Sequence, residues 1–269
     1  MTLEDYEDKL NNCDKKWVLL KCKGCGLEYI TPISCGLRTC PKCAKKQSDE
    51  LFFNIWNVVK RLRETKIYKL RHITLTYGNK GSLWLDLRES KKAFRKLWHN
   101  YLEKKGAGAL VCVEIGDKNR SVHLHVLYFG MFIFWKQLSE EWKKVTGGRW
   151  EIDVRLVKGK KGIREVTKYI SKGIYRENKD LENMFEIEEA LKGMRRIMTY
   201  GIFYDYKLPE PVFTCPVCGC EHWEYVRRYT LDVDINKETI RDILYRFKTF
   251  QKENARASPD KQTVNLKQD

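Results

Sequence analysis

Two histidines one residue apart, His123-Leu124-His125, lie in a run of strand-forming residues, SVHLHVLYF. Side chains alternate between the faces of a strand, so both imidazoles project from one face and can meet a single cation. They are two of the five histidines in the chain. Alone, the motif also describes two hydrogen-bonded polar residues on a half-exposed strand. The preceding run, ALVCVEIG (109–116), carries a single acid, Glu114, among apolar residues. If the DKNR segment (117–120) closes a hairpin, Gly116 faces Ser121 and Glu114 faces His123, with Cβ atoms roughly 5 Å apart on one face. A carboxylate and two imidazoles with open positions suit a divalent cation acting as a Lewis acid. The donor set admits Mg2+ or Mn2+, and spacing leaves Zn2+ open. The alternative for Glu114 is an ion pair with Lys118 or Arg120 at the hairpin. Downstream, GIREVTKYISKGIY (162–175) reads as a helix with Tyr169 and Lys172 three apart, hence on one helix face. A phenolate there can attack a phosphodiester while the ammonium stabilises the charge that develops. Free tyrosine titrates near ~10, so it needs a metal or base beside it, which the strand site would supply. The same spacing also fits a structural aromatic-lysine face. Tyr175 is the second candidate nucleophile, but at roughly 240° round the helix it does not share a face with Tyr169.

The cysteines form a separate pattern. Cys22-Lys-Gly-Cys25 and Cys40-Pro-Lys-Cys43 are two knuckles separated by 14 residues, the spacing of a tetrahedral structural Zn2+ site with four thiolates. Gly24 and Gly26 permit the tight turn that aims both thiols of the first knuckle at one ion. Disulfides are disfavoured, because the start MTLEDYED is no export signal. Cys35 either replaces one of these thiols or stands outside the set, and the second reading is preferred. Cys112 reads as strand core and Cys13 as an ordinary cysteine. A second candidate zinc set is Cys215, Cys218, Cys220 and His222. Four ligands so close in sequence are cramped, so the alternative is that Cys215 and Cys218 take ligands from elsewhere, such as Cys13 or Cys35. Trp223, Tyr225, Arg227, Arg228 and Tyr229 follow. They suit stacking on bases and contact with phosphate, or a strand with one aromatic face packed inward.

These groups need a scaffold. The chain has 269 residues, 42% of them hydrophobic, which argues against wholesale disorder. No apolar run approaches the ~18 residues of a membrane span. Apolar spacing predicts helices over 48–65, from a cap at Asp86, over 135–146 and over 162–175. Strands are predicted at 70–77, 109–116, 121–129 and 150–157. The order β-α-β-β-α-β-α predicts an α+β fold. Its core is a ferredoxin-like, RRM-like antiparallel sheet with helices on one face and the other face open for a site. The expected plan is a zinc-binding segment (1–47), a catalytic domain (48–178), a helical and zinc-knuckle extension (179–250) and a disordered tail (251–269). A net charge of +16 points to nucleic acid, or to a solvated lysine-rich surface.

Three segments in this order, His72-Ile-Thr-Leu-Thr76, His123-Leu124-His125 and Lys168-Tyr169-Ile-Ser-Lys172, resemble the motifs of rolling-circle replication initiators of the HUH endonuclease superfamily. The one-tyrosine form fits; the two-tyrosine form would need a second tyrosine where Gly173 stands. The resemblance covers about residues 70–175. It implies that Tyr169 attacks single-stranded DNA at a plasmid or viral origin, forming a 5′-phosphotyrosine link and releasing a 3′-OH that primes synthesis. His123 and His125 would hold Mg2+ or Mn2+, with Glu114 as third ligand, and Lys172 would position the phosphate. Lys168, Arg227 and Arg228 are candidate DNA contacts. The run Cys35-Gly-Leu-Arg38-Thr-Cys40-Pro-Lys-Cys43 resembles a segment ahead of the nuclease domain in some plasmid initiators. The implied partners are origin DNA and the host polymerase and helicase, in the host cytoplasm and without a membrane. Two other readings are an HUH transposase or relaxase, and a non-enzymatic zinc protein that binds DNA or RNA through its sheet. The cysteine segment and the lack of a helicase module favour the initiator. A metal-type cluster followed by a tyrosine favours an enzyme.

Overall fold

The computed structural model describes residues 1–62, 68–116, 119–168, 180–204 and 213–257. Its elements are α1 (Leu3–Asn11), β1 (Lys16–Cys22), β2 (Glu28–Pro32), α2 (Pro41–Leu62), β3 (Lys69–Gly78), α3 (Leu83–Leu97), β4 (Gly106–Ile115), β5 (Val122–Gly130), α4 (Trp135–Thr146), β6 (Ile152–Leu156), α5 (Gly159–Thr167), α6 (Leu181–Leu191), β7 (Ile197–Gly201), β8 (Trp223–Thr230) and α7 (Lys237–Ala257). They fall into two compact units, Met1–Asp8 with Gly36–Leu208, and Lys9–Cys35 with Pro209–Asp269.

The first unit is built on a five-stranded sheet in the order β6-β3-β5-β4-β7, with every neighbouring pair antiparallel. Its first four strands have the ferredoxin-like order that the alternation of elements predicts. The α+β class is therefore as expected. The helices, however, form two layers rather than one. On β5, Val122, Leu124, Val126 and Tyr128 enter a core with Leu87 and Phe94 of α3, Leu138 and Trp142 of α4, and Ile187 of α6. The intervening Leu127 and Phe129 point the other way and, with Leu70 and Leu110, pack against Phe52, Ile55, Val58 and Val59 of α2 and Ile163 and Val166 of α5. Apolar residues on both faces of a strand demand cover on both faces. Only the end carrying the histidines departs from that pattern. Trp142 is fully buried, a burial that contributes roughly 2–3 kcal/mol, and its Nε1 donates to the Thr76 carbonyl at 3.0 Å, tying α4 to β3.

Several boundaries differ from expectation for local reasons. α2 starts at Pro41 rather than at residue 48, since proline is favoured at the first helical position. α3 is capped by Ser82, whose side chain accepts from the Leu85 amide. Asp86, the expected cap, is instead buried and accepts from the Lys80 amide at 2.9 Å. The extension over 179–250, expected to be helical, also holds β7, a short edge strand paired with β4. Residues 251–257, expected in the tail, continue α7.

The second unit has an antiparallel sheet in the order β2-β1-β8. Leu19, Ile30, Ile235 and Ile240 form its small buried core. Tyr29, Phe213, Trp223 and Phe247 make a ring cluster with centroid spacings of 4.6 to 6.2 Å. So small a core ordinarily needs a staple such as a metal. Among the described residues no helix is long and apolar enough to cross a membrane.

Candidate active site

The sheet register lines up three rows on the partly open face of the first unit. Glu114 pairs with His123 and His123 with Thr76; Cys112 pairs with His125 and His125 with Thr74; Leu110 pairs with Leu127 and Leu127 with His72. The Glu114–His123 pairing is the one the hairpin predicts, and the Gly116 amide closes the turn on the Ser121 carbonyl at 2.7 Å. The carboxylate leans one row across, so Glu114 Oε2 lies 2.5 Å from His125 Nε2. His123 shares the face and keeps its Nδ1 3.2 Å from Thr76 Oγ1. The ligand atoms of Glu114, His123 and His125 do not all come within 4.8 Å of one another. Burial pushes the His123 imidazole down from its usual titration range, which keeps it neutral and able to ligate. One carboxylate and two imidazoles on one partly exposed face fit a divalent cation by their chemistry.

Spacing in the sequence does not reveal the groups behind His123 and His125. His72 Nε2 lies 3.0 Å from His125 Nδ1, and Thr74 Oγ1 lies 3.3 Å from the same nitrogen. Burial, reinforced by the charge of His125, brings His72 down to about 4. On the edge strand β6, Asp153 pairs with Thr74 and Arg155 with His72; the two are ion-paired at 2.6 Å. Their signal was the alternation of 150–157 once β6 is set beside β3.

α5 packs on this face. Ile163 and Val166 are in the core beneath it, and the Thr167 carbonyl accepts from Ser48 Oγ at 3.0 Å. Lys168 follows, ion-paired with Glu165. Tyr169, Lys172 and Tyr175 lie outside the described residues. A family model described as "Replication protein" matches residues 27–212, well over half of the chain. The chain belongs to the replication protein family. Comparison with curated proteins gives no match, and comparison with solved structures gives none.

The knuckles of this replication protein close differently from their spacing. Cys22 and Cys25 meet Cys215 and Cys218, all four thiols lying within 4.8 Å of one another. Cys22 Sγ is 3.5 Å from Cys218 Sγ and Cys25 Sγ 3.5 Å from Cys215 Sγ. A tetrahedral Zn2+ with ~2.3 Å bonds puts its sulfurs about 3.8 Å apart, so these thiols are suited to hold zinc. Burial raises the Cys22 thiol, but the amides of Cys25 and Gly24 and the thiols of Cys218 and Cys215 outweigh it and bring it down to about 6. Gly24 is needed for the approach, since a Cβ there would sit 2.9 Å from Cys218 Sγ. Cys40 and Cys43, expected with Cys22 and Cys25, are outside this group; both are buried at the start of α2. Cys220 and His222 are also outside it: Cys220 Sγ accepts from the His222 amide at 3.4 Å. Cys112 is buried strand core, as expected, and burial pushes its thiol up to about 12. Arg227 and Arg228 are exposed on the edge strand β8, with Arg227 over the Tyr229 ring at 4.7 Å.

Proposed function

We propose that this replication protein initiates rolling-circle replication of a plasmid or virus by nicking and rejoining single-stranded DNA at an origin, with residues 48–178 carrying the chemistry. The observation that carries the reading is the Glu114–His125 contact at 2.5 Å beside His123 in direct register, on the face where α5 ends two residues before Tyr169 in sequence. The Tyr169 oxygen forms a bond to phosphorus, the bond from phosphorus to the 3′ oxygen breaks, and that oxygen leaves as a 3′-OH for the host polymerase to extend. The phenol loses its proton and the leaving oxygen gains one. Lys172 steadies the non-bridging oxygens, and Lys168 contacts the strand beside them. Attack by a 3′-OH on the phosphotyrosine reverses the step and rejoins the DNA. Glu114, His123 and His125 would hold Mg2+ or Mn2+, which would supply Lewis acidity at the scissile phosphate. With Nε2 of His125 on a metal, its Nδ1–H would donate to His72 Nε2, 3.0 Å away, the kind of backing that fixes ligand orientation. The family match favours an initiator over a transposase or relaxase. Structural zinc at Cys22, Cys25, Cys215 and Cys218 belongs to the second unit.

The test is incubation with single-stranded origin DNA and Mn2+, with and without EDTA. The wild type is expected to give a 5′ adduct on a denaturing gel, mapped to Tyr169 by mass, only without EDTA. Tyr169→Phe is expected to lose nicking and adduct while still binding DNA. Undiminished nicking by that variant would overturn the assignment.

A further inference from the structure

Away from the histidine row, the first unit buries a cation that makes no salt bridge among the described residues. Arg196 precedes β7 and is 7% exposed, and neither of its terminal nitrogens, Nη1 or Nη2, has a hydrogen-bond partner among the described residues. Burying an unpaired charge is among the costliest arrangements a core can hold. Arg196 lines a cavity of about 420 Å³ together with Arg38, Gln47, Gly193 and Arg195. Lys91 of α3 adds a further cation, its Nζ donating to the Arg195 carbonyl at 2.5 Å. Burial, and then the charges of Arg38 and Arg196, bring Lys91 down to about 8. The acid nearest in effect, Glu188 of α6, is engaged by the Thr39 amide at 2.9 Å and the Thr39 hydroxyl at 2.8 Å. Four cations against one committed carboxylate make a site for an anion, and guanidinium groups suit the oxygens of a phosphate.

Its place in the sheet suggests which phosphate. The Val113 amide donates to the Arg196 carbonyl at 3.1 Å. The next residue, Ile197, pairs with Cys112, which pairs in turn with His125. Two strand spacings, about 10 Å, separate the strand after Arg196 from the strand of the histidines. We propose that this pocket binds a backbone phosphate of the DNA strand, flanking the phosphate on which Tyr169 acts. The identity of the ligand rests on the DNA-nicking reading; the need for an anion does not.

The test uses the full chain and a single-stranded oligonucleotide of mixed sequence in EDTA, so that binding is read without cleavage. Kd is measured across a salt series. Arg196→Gln is expected to weaken binding roughly tenfold and to flatten the slope of log K against log salt by about 0.7, one phosphate on a single strand. Arg38→Gln should do the same, and it decides the matter if Arg196→Gln does not fold. Unchanged affinity and slope in the folded variants overturns the proposal. Inorganic phosphate is the second probe. It is expected to raise the melting temperature of the wild type but not of Arg38→Gln, and to compete with the oligonucleotide beyond the effect of sodium chloride at equal ionic strength. Stabilisation by phosphate without competition overturns the assignment to the DNA strand. A wild type that binds with full slope yet forms no tyrosine adduct in Mn2+ sinks the nicking reading alone.

Discussion

His125 is constrained at both ring nitrogens. Nε2 meets Glu114 at 2.5 Å, and Nδ1 lies 3.0 Å from His72 and 3.3 Å from Thr74. Ligation through Nε2 requires the ring proton on Nδ1 and an acceptor to receive it. In the proposed metal site a buried, neutral His72 would be that acceptor and so a positioning residue. His72→Ala is expected to raise the Mn2+ concentration for half-maximal cleavage by roughly 10- to 100-fold, with a much smaller loss of rate at saturating Mn2+. His72→Gln, which keeps an acceptor, should recover part of the loss. An unchanged Mn2+ dependence would remove His72 from the site. The two histidines and Glu114 were legible in the sequence because a strand period of two and a short hairpin fix their register locally. His72 was not, because it lies 53 residues from His125 and only the order of strands in the sheet makes them neighbours.

Strands also decide which cysteines meet. Each C-x-x-C knuckle can be read from sequence, because its turn is local, but the pairing of knuckles is not local. β1 pairs with β8, and that ladder carries Cys22 to Cys218 across 196 residues. Spacing alone favoured Cys40 and Cys43, which lie far closer in sequence. The second helical layer was hidden for a related reason. An apolar run such as that of β5 marks a buried strand without naming what covers each face. The closed thiol group leads to a test with two arms. Cys215→Ser is expected to lose the zinc that these four thiols are suited to hold, and with it amide-exchange protection in β1, β2 and β8, since four buried apolar residues are a slender core. Cys220→Ser, outside the group, should keep both. Zinc retained with full protection in Cys215→Ser would mean that the four thiols are not its ligands.

Charge is unevenly shared over the molecule. The first unit holds 37 Lys and Arg against 24 Asp and Glu, a surplus of 13 out of the net 16, and the second unit holds 15 against 12. Affinity for a polyanion scales with the phosphates neutralised, so the first unit should carry most of the salt dependence of DNA binding. β8 is the natural challenger, with Arg227 and Arg228 exposed on an edge strand beside exposed Tyr225. Neutralising both as Arg227→Gln and Arg228→Gln removes at most two phosphate contacts, so the salt slope should flatten by no more than about 1.4. The remainder of the slope should persist, because the surplus of the first unit is untouched. Titration of a fluorescent single-stranded oligonucleotide over a salt series reads this directly. Loss of most of the slope in the double variant would shift the principal DNA-binding surface to the second unit and overturn its assignment to the face that carries the histidines.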